Sequence, residues 1–257
     1  MLTNFDLTNL LISAVAALIA LTLHEFSHGF MAYKLGDKTA YHMGRLTLNP
    51  LRHLDPFGTV CMIFFRFGWA RPVPINARNF KKPRRDIALT ALAGPLINIL
   101  SGFIFSLITL LLLLLHFKVG RVSNVAFVYN VTYYAFMFFG VFTVTSVGLG
   151  VFNMLPIPPF DGSRILFALL PPKLYFKITK HERGIYFFFV GWLLIGGFLY
   201  RGLMSIPAIA SNGALSSVLR ILSLSGLISD ATSFICQAML DLWHLLPIFD
   251  SIPMLLV

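Results

Sequence analysis

The chain has 257 residues, 57% of them hydrophobic and only 12% charged, with a mean hydropathy of +0.81. A soluble domain carries about 25% charged residues, so the composition excludes an ordinary soluble enzyme and predicts a multi-pass membrane protein. The net charge of +10 gathers between the apolar runs, as the positive-inside bias of cytosolic loops requires, and calls for no nucleic-acid partner.

In chain order, the first apolar run is about Leu7 to Tyr33, long enough to cross a bilayer as a helix. Met1 to Asp6 lacks the basic region of a cleaved leader, so the run reads as a retained membrane helix. Lys34 to Asp55 is polar and basic, and Pro56 to Phe67 is apolar but too short to span. Gly68 to Asn76 holds two prolines and β-prone residues. It predicts an extended or re-entrant element at the membrane surface, with an edge on which a substrate chain can add as a strand.

Arg78 to Asp86 is the most basic block. Ile87 to Phe117 and Val122 to Phe160 contain no charged residue, with His116 taken as neutral, and each holds a span. Pro156, Pro158 and Pro159 must stop the second helix. Ser163 to Leu170 is short, Lys173 to Arg183 is basic again, and Gly184 to Tyr200 is a final clear span. Beyond Gly202 the apolar residues mix with Ser, Gly, Asn and scattered charges, so Ile221 to Leu246 reads either as one more span or as interfacial helices. The expected fold is an all-α multi-pass membrane protein of about five to six transmembrane helices with a small membrane-associated β element. Residues 1–201 form the expected main domain, and 202–257 a C-terminal extension of open topology.

The end of the first run carries His24-Glu25-Phe26-Ser27-His28, an H-E-x-x-H pattern. Four residues apart on a helix, His24 and His28 share a face and can ligate one metal, while Glu25 reaches a water activated by that metal. Leu7 to Leu23 contains no charged residue, and an ionisable cluster following it on the same helix is costly without a function. A catalytic zinc usually takes a third protein ligand. Of the ten acidic residues, Asp161 stands out, because it ends an uncharged stretch in Pro158-Pro159-Phe160-Asp161-Gly162. Its alternative role is the N-cap of a helix starting at Gly162-Ser163. The two basic loops, Lys34 to Arg85 and Lys173 to Arg183, are expected in the cytosol, with the N-terminus outside. That puts His24, His28 and Asp161 at one depth, towards the cytosolic side of the cell membrane. Cys61 and Cys236 lie far apart and offer neither a disulfide framework nor a Cys-based zinc site.

His24 to His28, Gly94-Pro95-Leu96-Ile97-Asn98 and Asn153 to Gly162 together resemble the three motifs of the site-2 proteases, the intramembrane zinc metalloproteases. Arg45 to Pro50, His53 to Pro56 and Gly68 to Pro74 resemble the compact bacterial and archaeal branch without added soluble domains. The resemblance covers about Leu7 to Tyr200. It implies one Zn2+ per chain held by His24, His28 and Asp161, Glu25 as general base, and Asn98 and Asn153 as polar groups that hold the substrate backbone or the oxyanion. It also implies that Gly94-Pro95 loosens its helix, and that the partner is a transmembrane protein substrate within the lipid bilayer. His42 and His53 are read as solvated loop histidines with a lesser claim as ligands. Two other readings stay open: a metal transporter, and a non-catalytic relative that binds membrane helices. Polar positions gathered at one membrane depth disfavour the first, and an intact Glu25 the second.

Overall fold

The computed structural model describes residues 7–58, 70–122, 126–171, 174, 178 and 180–249. Helix α1 runs over Leu7–Lys34 and is followed by the short α2, Thr39–His42. Then come the long α3, Pro83–Val122, and α4, Ala126–Asn153. A proline-rich turn leads to α5, Asp161–Leu169. The chain continues through α6, Glu182–Met204, the single-turn α7, Pro207–Ala210, then α8, Gly213–Leu222, and α9, Leu224–His244.

Among the described residues, four helices are long and apolar enough to cross a membrane: α1, Pro83–Lys118 of α3, α4 and α6. The pair α8 and α9 makes a fifth span if it is counted as one, although it bends by 94°. The bend has a local cause. The Ser223 hydroxyl accepts the Gly226 N–H at 3.1 Å and caps a new helix. Arg220 and Asp230 form an ion pair across the corner.

Helices α1, α3 and α4 pack on one another and carry the core. Ala16 and Ala20 of α1 are fully buried against Phe142 of α4, with Leu23 and Phe105 beside them. Small residues let α3 and α4 approach closely: Ile99 Cγ1 and the Pro95 carbonyl oxygen lie 3.1 Å from the Cβ position of Gly150. Several hydroxyls inside this bundle are satisfied locally. The Ser101 and Ser146 hydroxyls lie 2.9 Å apart, and both donate to the Asn98 carbonyl, at 3.1 and 3.0 Å. Helix α9 covers the other side through Cys236 and Met239 against Val147. Pro95 sits inside α3, yet the helix runs through it unbroken.

Among the described residues the expected β element is not seen. Gly68 and Trp69 lie outside the described residues, and among the described ones the only pairing is an isolated antiparallel bridge between Leu54 and Ala70. Residues 71–76 are without regular structure, and their donors are spent elsewhere. Pro72 and Pro74 have no N–H. Arg71 N–H donates to the His53 carbonyl at 2.8 Å, Val73 N–H to Glu25 at 2.9 Å, and Asn76 N–H to Asp37 at 2.7 Å. A ladder needs those same groups.

Candidate metal centre

Helix α1 presents His24 and His28 one turn apart on its buried side. Asp161 begins α5, where the helix N-terminus favours a negative charge. The turn before it is anchored by Phe160, whose ring packs against Phe152 of α4 and Phe189 of α6 at centroid distances of 4.5 and 5.0 Å. Gly162 has to be glycine, because a Cβ there would overlap the Met154 carbonyl oxygen of the returning chain. The chain thus folds the Asn153–Gly162 stretch back over the C-terminal part of α1.

The three side chains meet. His24 Nε2 lies 3.1 Å from Asp161 Oδ2, His28 Nε2 3.1 Å from the same oxygen, and the two imidazole nitrogens 3.0 Å apart. All three residues are buried, and they form the one cluster of His, Cys, Asp or Glu suited to a metal among the described residues. Asp161 does not cap α5: the N-cap position is Phe160, with no side-chain cap, and the carboxylate turns to the imidazoles.

These residues fit a zinc ion on two observations. First, His28 Nδ1 lies 2.7 Å from the Thr90 carbonyl oxygen. A carbonyl only accepts, so Nδ1 carries the proton and the Nε2 lone pair of a neutral ring faces the other two donors. Second, the separations of 3.0–3.1 Å are close to the edge of about 3.3–3.4 Å set by tetrahedral bonds of about 2.0–2.1 Å. Two nitrogens and a carboxylate oxygen are a zinc donor set. The long α3 completes the wall. A Cβ on Gly94 would overlap His28 Nε2 and stand 2.7 Å from His24 Cε1, so only glycine leaves the donors room.

Glu25 is half-buried beside the cluster, and its Oε2 accepts the Val73 N–H at 2.9 Å. Asn98 is fully buried on α3, and among the described residues neither its amide nitrogen nor its amide oxygen has a partner. Asn153 is bound within its own helix, its Nδ2 donating to the Leu149 carbonyl at 3.0 Å. Neither asparagine is hydrogen-bonded to the three donors. His42 is exposed on α2. His53 is buried, but its Nε2 donates to the Thr47 carbonyl at 2.8 Å, so it braces a loop away from the cluster. Two residues of the site were missed in the sequence. Gly94 reads there as a helix-loosener, whereas its role is clearance. Val73 carries no chemical signal, because it acts through its backbone.

The sequence profile of peptidase family M50 matches residues 12–195. The chain belongs to this family, that of the site-2 proteases. Among relatives, it is 43% identical over 168 residues to a Bacillus subtilis protein named "Putative zinc metalloprotease YwhC", covering 65% of this chain and 73% of that protein. It is 31% identical over 160 residues to "Putative zinc metalloprotease Rip2" of Mycolicibacterium smegmatis, where it spans only 56% of the relative's length. A protein of Methanocaldococcus jannaschii, "Putative zinc metalloprotease MJ0611", is 28% identical over 167 residues, with 73% of its length covered. No solved structure matches the chain significantly.

Proposed function

We propose that this M50 zinc metallopeptidase cleaves peptide bonds in transmembrane or membrane-adjacent segments of other proteins, with Glu25 as general base. The observation that carries the reading is the meeting of His24, His28 and Asp161 at the inner end of an apolar helix, with the Glu25 carboxylate beside them. A site that opens at membrane depth meets chains that are themselves in the membrane. Family membership also favours a peptidase over the transporter reading.

His24, His28 and Asp161 would hold one zinc per chain. When bound, the ion supplies a Lewis acid that activates water and polarises the scissile carbonyl. Glu25 takes the proton of the attacking water and hands it to the leaving amine, a role that suits a carboxylate with one oxygen fixed and the other free to move protons. The Thr90 carbonyl holds His28 in its ligating tautomer throughout. Asn98 brings an amide with no partner among the described residues; a buried amide of this kind calls for one, and a substrate carbonyl or oxyanion supplies it. Asn153 must release the Leu149 carbonyl to take the same role. The basic segments 34–55 and 78–86 support a cytosolic placing of the site in the cell membrane.

The experiment measures zinc content and cleavage together, using a fluorescent single-span peptide as substrate. Asp161→Ala should lose metal and activity together. Glu25→Gln should keep the metal and lose cleavage. A zinc-loaded Glu25→Gln protein that still cleaves would overturn the general-base assignment.

A further inference from the structure

Among the described residues, Arg45 is a buried charge that the metal centre does not explain. It is 8% exposed, and among the described residues no carboxylate forms an ion pair with it. Its Nη2 instead donates to two successive backbone carbonyls, Arg71 O at 2.7 Å and Pro72 O at 3.3 Å. A buried guanidinium spent on carbonyls alone is costly unless it acts on something beyond them.

What lies beyond is the next atom pair of the same peptide. The Pro72–Val73 unit presents its carbonyl to Arg45 and its N–H to Glu25 Oε2, 2.9 Å away. A trans peptide is planar, with the carbonyl and the N–H pointing to opposite sides, so one rigid group stands between a cation and a carboxylate. The charges polarise it in the same sense, which strengthens the N–H as a donor. The seat is tight as well. Glu25 and Gly29 share a face of α1, and the Cβ position of Gly29 lies 3.2 Å from Val73 Cγ1 and 3.3 Å from Leu46 Cδ1. Arg71 N–H on the His53 carbonyl, at 2.8 Å, fixes the other end.

We propose that Arg45 is a positioning residue for Glu25, acting through the Pro72–Val73 peptide. The guanidinium holds the strap 71–73 in one place. The strap holds Glu25 Oε2, and Glu25 Oε1 is thereby aimed for proton transfer. The inference rests on Glu25 being the general base, and it assigns a role to the Arg45 and Gly68–Pro74 motifs that the metal centre leaves unused. It also bears on specificity. The Val73 N–H serves the base, so an incoming chain cannot claim it without freeing Glu25.

Two measurements test this. In hydrogen exchange read by mass spectrometry, Pro72-Val73-Pro74 contributes a single exchangeable amide, that of Val73, and zinc loading is not required. Arg45→Met should speed that exchange roughly 10-fold or more, and Arg45→Lys, which keeps a cationic donor, should recover part of the protection. In cleavage of the single-span peptide, Arg45→Met should lower kcat roughly 10- to 100-fold with KM and zinc content unchanged. Val73→Pro, which deletes the same N–H, should do the same. The double variant should be no worse than Val73→Pro alone, because both changes break one relay. Unchanged Val73 exchange in Arg45→Met, full activity of Val73→Pro, additive losses in the double variant, or loss of zinc from Arg45→Met would each overturn the proposal. Activity in Glu25→Gln would instead remove the base assignment, and the exchange data would still report whether Arg45 holds the strap.

Discussion

The Nδ1 of His28 lies 2.7 Å from the carbonyl oxygen of Thr90, a residue 62 positions along the chain and on a different helix. This contact decides which nitrogen of His28 faces the metal site. It belongs to the backbone of α3, so no side chain at position 90 is needed for it. The Thr90 hydroxyl is itself buried without a partner.

Thr90→Val should therefore be harmless at the site. Valine keeps the shape and the carbonyl, and it removes an unpaired buried hydroxyl, which costs nothing and can stabilise. Zinc content and cleavage should stay within about twofold of wild type, and the melting temperature should hold or rise. Metal loss in this variant would mean that the hydroxyl, not the carbonyl, orients His28.

Gly94→Ala should damage the centre through space alone. The added methyl would overlap His28 Nε2 and crowd His24 Cε1 at 2.7 Å. Overpacking of this kind costs about 1–3 kcal/mol, and here it falls on the ligands themselves, so zinc affinity should drop tenfold or more, a loss of about 1.4 kcal/mol. Gly140→Ala is the control, since its nearest neighbour is Thr109 Cγ2 at 3.5 Å. Competition with a chelator separates the two. Equal affinities would show that α3 yields easily around the ligands.

The long apolar helices were legible because each carries a long uncharged run, Leu7 to Leu23 in the first and Gly184 to Tyr200 in the last: the spans read as Leu7 to Tyr33 and Gly184 to Tyr200 are observed as Leu7–Lys34 and Glu182–Met204. The tail was ambiguous for a physical reason. Asp230 and Asp241 break the hydropathy of α9, yet each is satisfied locally, Asp230 by Arg220 and Asp241 by Gln237 Nε2 at 2.9 Å. His24, His28 and Asp161, which the structure brings together, could be singled out in the sequence because so few ionisable groups follow apolar stretches. The Arg71–Asn76 segment misled as a strand, since its composition is β-prone while its N–H groups serve His53, Glu25 and Asp37. Backbone donors leave no trace in residue identity. For the same reason neither Val73 nor the purpose of Arg45 was visible.

Asp37 clamps the segment that follows this strap. It is fully buried and accepts from Asn76 N–H at 2.7 Å, Asn79 Nδ2 at 2.7 Å and Thr39 N–H at 3.0 Å. Burial alone raises its pKa, but the hydrogen bonds from Thr39, Asn76 and Asn79 outweigh this and hold it below the ordinary carboxylate range. A depressed carboxylate contributes stability that is full above its unfolded pKa of about 3.9 and is lost as the pH falls through the lower folded value. Asp37→Ala should therefore cost about 1–3 kcal/mol at neutral pH, and the difference from wild type should shrink only in strong acid. Limited proteolysis at Arg78, Lys81 and Lys82 reports the loosening. A difference that shrank already at pH 5 to 6 would mean that another group carries the clamp.

Metal removal should expose the competition between zinc and protons. With the His28 proton on Nδ1, its Nε2 lone pair and the Asp161 carboxylate face each other at 3.1 Å. Two acceptors at that distance repel unless a cation or a proton lies between them. Zinc removes the conflict when it is bound. Zinc and protons compete for the same lone pairs, so zinc binding should release protons and weaken as the pH falls. A chelator should accordingly strip the protein faster near pH 5.5 than near pH 7.5, and added zinc should restore cleavage after stripping. Calorimetry of zinc binding in two buffers of different ionisation enthalpy counts the protons released. A count of zero would overturn this expectation.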